Sequence, residues 1–186
     1  IIIKVIYMKK PMREFVRNFL INNVTKNDIV IDATIGNGND TLLLSKLASF
    51  VYGFDIQKLA LKNTEKLLLE NNRDNYRLIH DSFINIFNYI NDFKGVVFNL
   101  GYLPKGDKEI TTLAFDTIAT LKKLLTKLKK GMFIVITCYP GHDEGLKETI
   151  LIKEFIKTLS LDFNIIKKEN KTNPSAPLVI IIEKKA

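Results

Sequence analysis

Short runs of β-branched and aromatic residues alternate along this chain with longer stretches in which apolar residues recur every three or four positions. The short runs predict strands and the long stretches predict helices, because side chains repeat every two residues in a strand and about every 3.6 in a helix. Strands are predicted at residues 29–32, 50–55, 76–80, 96–99, 133–138, 163–167 and 178–183. Helices are predicted at residues 12–21, 40–48, 57–71, 111–128 and 146–159, with a short one at 82–91. This alternation favours an α/β fold in which crossover helices cover a mostly parallel sheet.

The last two predicted strands follow one another without an intervening helix, which predicts a C-terminal antiparallel hairpin. A chain of 186 residues suits one compact domain. We therefore expect a seven-stranded sheet in a single domain at residues 22–186, preceded by an N-terminal extension and helix at residues 1–21.

Composition argues against a membrane protein and a disulfide-rich protein, and it leaves nucleic acid open as a partner. The apolar share of 46% is ordinary for a globular protein, and no apolar run approaches the roughly 18 residues of a membrane span. Cys138 stands alone, so we expect no disulfide framework and a cytoplasmic location. A formal charge of +8 favours a polyanion such as nucleic acid, although a composition rich in Ile, Asn and Lys explains that charge equally well.

The segment at residues 29–44 begins as a strand, passes through Gly36 and Gly38, and continues as an amphipathic helix. The two glycines let the backbone turn tightly and approach a ligand. The third glycine of a dinucleotide loop is absent, and Asp40 stands where a pyrophosphate would lie. Since a carboxylate there repels phosphate and attracts the ammonium group of a methionine moiety, the loop predicts S-adenosylmethionine rather than NAD.

Acidic residues also follow the next two predicted strands. Asp55 lies seventeen residues after Gly38, where a carboxylate can accept both hydroxyls of a ribose. Asp81, followed by Ser82, is placed to accept from the exocyclic amine of adenine. The alternatives are a surface turn residue for Asp55 and a helix cap for Asp81.

Two loops after the fourth and fifth strands are candidates for the acceptor site. Asn99 and Tyr102 have the Asn-x-x-Tyr spacing of the Asn-Pro-Pro-Tyr motif of amino-group methyltransferases, in which the amide accepts from the acceptor nitrogen and the ring packs on the target. The alternative is a rigid turn capped by Asn99. In the other loop, His142 could take a proton or bond the acceptor, and it could equally cap the following helix. No metal site is expected, because the two histidines are far apart in sequence.

Residues 32–41, 52–57, 99–108 and 139–145 together resemble the YtqB-like rRNA methylase family, which includes MnmM-type proteins. The resemblance implies a Rossmann-like class I methyltransferase domain with strand order 3-2-1-4-5-7-6. It also implies methylation of the aminomethyl group of 5-aminomethyl-2-thiouridine at the tRNA wobble position, binding of the anticodon arm, and a homodimer. The alternatives are rRNA or a small amine as the acceptor, and a non-catalytic RNA-binding module with this fold. A dehydrogenase is a third alternative, which Asp40 and the absent third glycine disfavour.

The resemblance also assigns roles to residues. It implies cofactor contacts for Asn37, Asn39, Asp40, Asp55, Gln57 and Ser82. It implies acceptor contacts for Asn99, Tyr102, Tyr139 and His142. For a tRNA substrate we also expect Lys105 and Lys108 near the phosphates. Phe83 departs from the family, in which a histidine often follows the serine, and the loop at residues 173–177 carries an insertion.

Overall fold

The computed structural model describes residues 2–7, 11–101 and 113–185, and in those ranges the chain forms one eight-stranded sheet with helices on both faces. The strands are β1 (Ile3–Ile6), β2 (Ile29–Asp32), β3 (Phe50–Asp55), β4 (Tyr76–His80), β5 (Gly95–Asn99), β6 (Phe133–Cys138), β7 (Phe163–Lys168) and β8 (Leu178–Lys184). The α-helices are α1 (Met12–Asn23), α2 (Asn39–Leu47), α3 (Lys58–Glu70), α4 (Ala114–Lys127) and α5 (Asp143–Lys157).

The sheet has the order β1-β7-β8-β6-β5-β2-β3-β4. Neighbouring strands are parallel except that β8 runs antiparallel to both β6 and β7. Counted from β2 as the first strand, this is the predicted order 3-2-1-4-5-7-6 with its C-terminal hairpin. The α/β fold class predicted from the sequence is therefore confirmed.

The expectation of seven strands was wrong, because residues 3–6 form an additional strand at the edge of the sheet. Strand β1 pairs in parallel with β7, with Ile3 opposite Ile165 and Ile6 opposite Lys168. Without β1, one side of β7 would present unpaired backbone N–H and C=O groups, and a short β-branched run is suited to pair with them. The β-branched residues of this run fit the strand pattern, but no strand was assigned to them, and the sequence does not show their pairing partner at the opposite end of the chain.

Helix boundaries differ from the predicted ones mainly where a polar side chain caps the helix. Helix α5 begins at Asp143 rather than 146, because His142 caps it. The short helix predicted at 82–91 is a 3-10 helix, Phe83–Asn88, and Ser82 is its N-cap as expected, accepting from the Ile84 amide at 3.4 Å. The predicted start of α4 at residue 111 lies outside the described residues.

Apolar side chains fill both faces of the sheet. On one face Phe98 and Ile134 pack with Leu121 and Leu124 of α4. On the other face Val97 and Phe133 pack in a cluster with residues of α1 and α2. With both faces covered, the open place for a ligand is the crevice at the carboxyl ends of the parallel strands. No helix in the described ranges has the length and apolar character needed to cross a membrane.

Candidate functional site

The loop after β2 depends on glycine at two positions. Gly36 and Gly38 have φ angles of 55° and 75°, in the left-handed region that favours glycine. A Cβ on Gly38 would also overlap the side chain of Thr64 on α3. Gly38 is the N-cap of α2, and its carbonyl accepts from the Leu42 amide at 2.8 Å. The loop therefore packs closely on α3 and brings backbone amides to the crevice, with Asn37 and Asn39 exposed beside them.

Asp55, at the end of β3, braces this loop from the neighbouring strand. The Gly36 amide donates to its Oδ2 at 2.9 Å, and the Gln57 amide donates to its Oδ1 at 2.9 Å. Burial raises the pKa of Asp55 above its ordinary value, although the two amides oppose that rise. Since each carboxylate oxygen has two lone pairs, Asp55 can hold the loop and still accept from hydroxyls of a ligand.

Asp81, at the end of β4, organises the segment that follows it. It accepts from the Ser82 amide at 2.7 Å, from Asn85 Nδ2 at 2.8 Å and from the Tyr89 hydroxyl at 2.8 Å. The bonds from Asn85 and Tyr89 hold the pKa of Asp81 below its ordinary value. Phe83 is buried and packs edge-on against Phe98 with ring centroids 5.5 Å apart, so this departure from the family resemblance lies at a core position.

Asn99, at the end of β5, is bound to the glycine loop through two hydrogen bonds. Its backbone amide donates to Thr34 Oγ1 at 2.6 Å, and its Nδ2 donates to Asp40 Oδ2 at 2.7 Å. Because the Nδ2 group is held by a carboxylate, the amide presents Oδ1 as its hydrogen-bond acceptor. The structure thus joins a residue of the expected cofactor set, Asp40, to a residue of the expected acceptor set.

The loop after β6 lies against the end of β5. Burial raises the pKa of Tyr139 above its ordinary value of 10.0, with Asp40 adding to the rise and Arg13 opposing it, so the phenol is neutral at pH 7. His142 caps α5, and its Nδ1 accepts from the Gly145 amide at 3.1 Å.

A Cβ placed on Gly101 would lie 3.6 Å from His142 Nε2, which places the imidazole beside the loop that follows β5. A neutral imidazole that accepts through Nδ1 carries its proton on Nε2 and is a donor there. Tyr102, Lys105 and Lys108 lie outside the described residues.

Asp32 is a site residue to which the sequence analysis gave no role. Its side chain is fully buried at the end of β2 and accepts from Thr41 Oγ1 at 2.6 Å and from the Thr34 amide at 3.3 Å. Burial, followed by the charge of Asp40, raises its pKa to about 7. The available signal was an Asp at the last position of a predicted strand, the same signal that identified Asp55.

Two further side chains belong to the site without a sequence signal of their own. Thr34 binds Asn99, and Arg13 on α1 interacts electrostatically with Tyr139. Thr34 lies in the segment 32–41 but was given no role of its own there, whereas Arg13 stands in no motif and is brought to the site by α1. Across the described residues no group of three or more His, Cys, Asp or Glu side chains is arranged to hold a metal ion.

A family model described as "Putative rRNA methylase" matches residues 51–183 of the chain. A tRNA (mnm(5)s(2)U34)-methyltransferase of Arabidopsis thaliana chloroplasts is 34% identical over 178 residues. That match covers 87% of this chain and 65% of the plant protein, so the chain spans just under two thirds of this relative's length.

Two crystal structures are similar over nearly their whole length. A "putative rRNA-methylase" from Clostridium thermocellum has a TM-score of 0.90 at 36% identity, covering 95% of this chain and 99% of that one. A "putative methyltransferase" from Streptococcus mutans, in complex with SAH, has a TM-score of 0.87 at 36% identity, with the same shares covered.

Proposed function

The chain belongs to the rRNA methylase family whose model matches it, and we propose that it is an S-adenosylmethionine-dependent methyltransferase that acts on an amino group in tRNA. More narrowly, we propose the aminomethyl group of 5-aminomethyl-2-thiouridine at the wobble position as its acceptor. The observation that supports an amino group as the methyl acceptor is the hydrogen bond from Asn99 Nδ2 to Asp40 Oδ2. This bond orients the amide so that Oδ1 can accept a hydrogen bond from an N–H group.

The glycine loop fits the proposed cofactor. Left-handed glycines at 36 and 38 give a ligand room to approach the backbone, and Asp55 has lone pairs for ribose hydroxyls. Asp40 has one oxygen on Asn99 and a second one for an ammonium group. The complex of the Streptococcus mutans relative with SAH supports this assignment, since SAH is the demethylated form of the cofactor. When bound, S-adenosylmethionine supplies an electrophilic methyl group on a sulfonium.

The residues after β5 and β6 suit an amine acceptor. Asn99 Oδ1 would accept an N–H of the amine and so direct the nitrogen lone pair, which contributes to catalysis chiefly by positioning. The neutral phenol of Tyr139 lines the same crevice and cannot act as a base at pH 7. His142 accepts from the Gly145 amide through Nδ1, so that nitrogen is not available to act as a base.

The choice of tRNA is supported by the plant relative, which is a tRNA (mnm(5)s(2)U34)-methyltransferase, and by the formal charge of +8. We propose the anticodon arm as the contact region, a homodimer as the assembly and the cytoplasm as the location. Exposed Leu146 and Ile150 on α5 give an apolar surface that supports the dimer.

The test is transfer of labelled methyl from S-adenosylmethionine to bulk tRNA that lacks the final methyl group. Asn99→Ala is expected to lower kcat roughly 100-fold and to change cofactor affinity far less, because the Oδ1 contact forms only with the acceptor and loss of the Nδ2 bond leaves the Asp40 carboxylate in place. Asp55→Ala is expected to weaken cofactor binding about tenfold or more, measured by calorimetry. Transfer to rRNA or to a free amine but not to tRNA would replace the substrate, and failure to bind the cofactor would contradict the enzyme assignment.

A further inference from the structure

A cavity lies near the loop that follows β6, and none of the residues assigned above lines it. Its volume is about 220 Å³, and it lies between the end of β1, helix α5 and the connection from β7 to β8. Its polar and aromatic lining consists of Tyr7, Lys153, Glu169, Asn170, Lys171 and Asn173.

The cavity is on the same edge of the sheet as the candidate site. Leu178, which also lines it, pairs with Cys138, the residue before Tyr139. A Cβ on Gly141 would lie 3.8 Å from the Ser175 carbonyl oxygen, so the connection from β7 to β8 contacts the loop that carries Tyr139 and His142. A polymer whose reactive group reached Asn99 could therefore also reach this cavity.

The charges around the cavity favour an anion. Glu169 is bound by Lys167 at 3.0 Å and by Lys153 at 3.3 Å. Burial alone would raise the pKa of Glu169, but the two lysines outweigh it and lower the pKa, so this carboxylate is ionised and neutralised. Lys171 adds a further cation at the rim, which leaves lysines in excess over carboxylates around the cavity.

The remaining lining groups are suited to a base. Tyr7 is 57% exposed, with Lys171 Nζ 5.9 Å from the centre of its ring, so an aromatic face is present beside a cation. Asn170 Oδ1 accepts from the Thr172 amide at 2.9 Å, and Asn173 Oδ1 accepts from the Ser175 amide at 3.0 Å. Both side chains therefore present their Nδ2 groups as donors.

The size of the cavity limits what it can hold. Whole small-molecule sites usually measure roughly 300–1,000 Å³, so a cavity of about 220 Å³ suits a single base or its sugar rather than a complete cofactor. A cation at the rim, an aromatic face and amide donors are the groups with which proteins hold single-stranded nucleic acid.

We propose that this cavity binds a nucleotide of the substrate RNA adjacent to the methylated one, with its base on Tyr7 and its phosphate at Lys171. The inference rests on the proposed function, because it takes RNA as the substrate. It assigns part of the substrate recognition to the edge formed by β1 and β7, away from the reacting atoms.

The test compares an anticodon stem-loop RNA carrying the amine with the corresponding free nucleoside, using Tyr7→Ala, Lys171→Ala and the control Tyr7→Phe. We expect each alanine variant to raise KM for the RNA roughly tenfold, while turnover of the nucleoside and cofactor affinity stay unchanged. Tyr7→Phe keeps the aromatic face and is expected to match the unsubstituted chain. Lys171→Ala should also reduce the slope of log affinity against log salt by about 0.7 to 0.9.

An RNA that is abasic beside the target nucleotide separates stacking from general damage. On that RNA the effect of Tyr7→Ala should vanish, because the base that would stack is absent. Unchanged KM for RNA in both alanine variants, or an equal loss on RNA and nucleoside, would overturn the inference. If the unsubstituted chain methylates neither substrate, the proposed function fails, and fluorescence anisotropy with the same RNA still decides whether Tyr7 and Lys171 bind it.

Discussion

Asp40 is the residue that links the two halves of the candidate site. Its Oδ2 accepts from Asn99, and its charge contributes to the raised pKa values of Asp32 and Tyr139. In the proposed complex the Asp40 carboxylate would contact both the ammonium group of the cofactor and the side-chain amide of Asn99. The position of Asp40 would therefore set the orientation of the Asn99 amide that binds the amine. We therefore expect Asp40 to bind the cofactor directly and to position the acceptor through Asn99.

Two substitutions separate these roles of Asp40. Asp40→Asn keeps an oxygen that can accept from Asn99 but removes the charge, so cofactor affinity should fall while kcat stays within about threefold. Asp40→Ala also removes the acceptor, so kcat should fall by a further factor of about ten. Calorimetry with S-adenosylmethionine and initial rates at saturating cofactor measure the two effects. Equal kcat values for the two variants would show that Asp40 does not orient Asn99.

Asp32 makes the stability of the fold depend on pH. Its pKa rises from 3.8 to about 7 because the carboxyl is buried, so the folded state holds the proton more tightly than the unfolded state. Its contribution to stability is therefore complete below about pH 4 and is lost as the pH rises through about 7.

Asp32→Asn, which stays neutral and can still accept from Thr41, is the matched control. The free energy of unfolding of the unsubstituted chain, relative to that of Asp32→Asn, is expected to fall by about 2 kcal/mol between about pH 5.5 and about pH 8. Urea denaturation at the two pH values measures this difference. A difference that does not change with pH would mean that Asp32 is ionised throughout.

At the scale of elements, the β2–α2 loop needs glycine at position 38 for two reasons, which are its positive φ and its close packing on Thr64 of α3. Gly38 and Gly131 share a φ of 75°, but a Cβ on Gly38 overlaps Thr64, whereas one on Gly131 meets only Lys94 Nζ at 3.6 Å. Gly131→Ala should cost about 1 kcal/mol from backbone strain alone.

Gly38→Ala should cost more than Gly131→Ala and should also weaken cofactor binding, because α3 and the loop must move apart. Thermal unfolding of the two variants and calorimetry with S-adenosylmethionine test this. Equal destabilisation with intact cofactor binding would contradict the role given to the close packing on Thr64.

The elements were predictable where the pattern is local. Strands such as residues 29–32 and 50–55 are β-branched or aromatic runs with polar ends, and their observed bounds match. For strand β1 the β-branched run was present, but its place in the sheet was not predictable, because the strand pairs with β7 about 160 positions later. The 3-10 helix at Phe83–Asn88 was expected only as a helix, because its form depends on the bonds that Asp81 makes with Asn85 and Tyr89.

The sequence was sufficient to predict which strand ends carry residues of the site, but not which side chains bond to one another there. Parallel strands bring their carboxyl ends to one edge, so Asp55 and Asn99 could be placed near the glycine loop from the sequence. The partner of each oxygen could not be predicted, because Asp40 and Asn99 are 59 positions apart and their bond depends on side-chain rotamers. For the same reason the cap made by His142 could only be given as one of two alternatives.

For the whole molecule, the formal charge of +8 overstates the charge available to a polyanion. Lys168 is fully buried, with its Nζ 4.9 Å from the centre of the Phe15 ring, so its charge is not exposed to a polyanion. Exposed cations beside the crevice, such as Arg13, therefore matter more for binding RNA than the total does. The location of charge at the carboxyl edge is what supports RNA over a free amine.

We propose that this chain adds a methyl group to the aminomethyl group of a wobble uridine. The most direct measurement is mass spectrometry of tRNA nucleosides from cells with and without the gene, and from cells that carry Asn99→Ala. Without the gene, tRNA should contain 5-aminomethyl-2-thiouridine in place of the methylated nucleoside. The Asn99→Ala variant should fail to restore the methylated nucleoside. An unchanged nucleoside profile without the gene would contradict the proposed function.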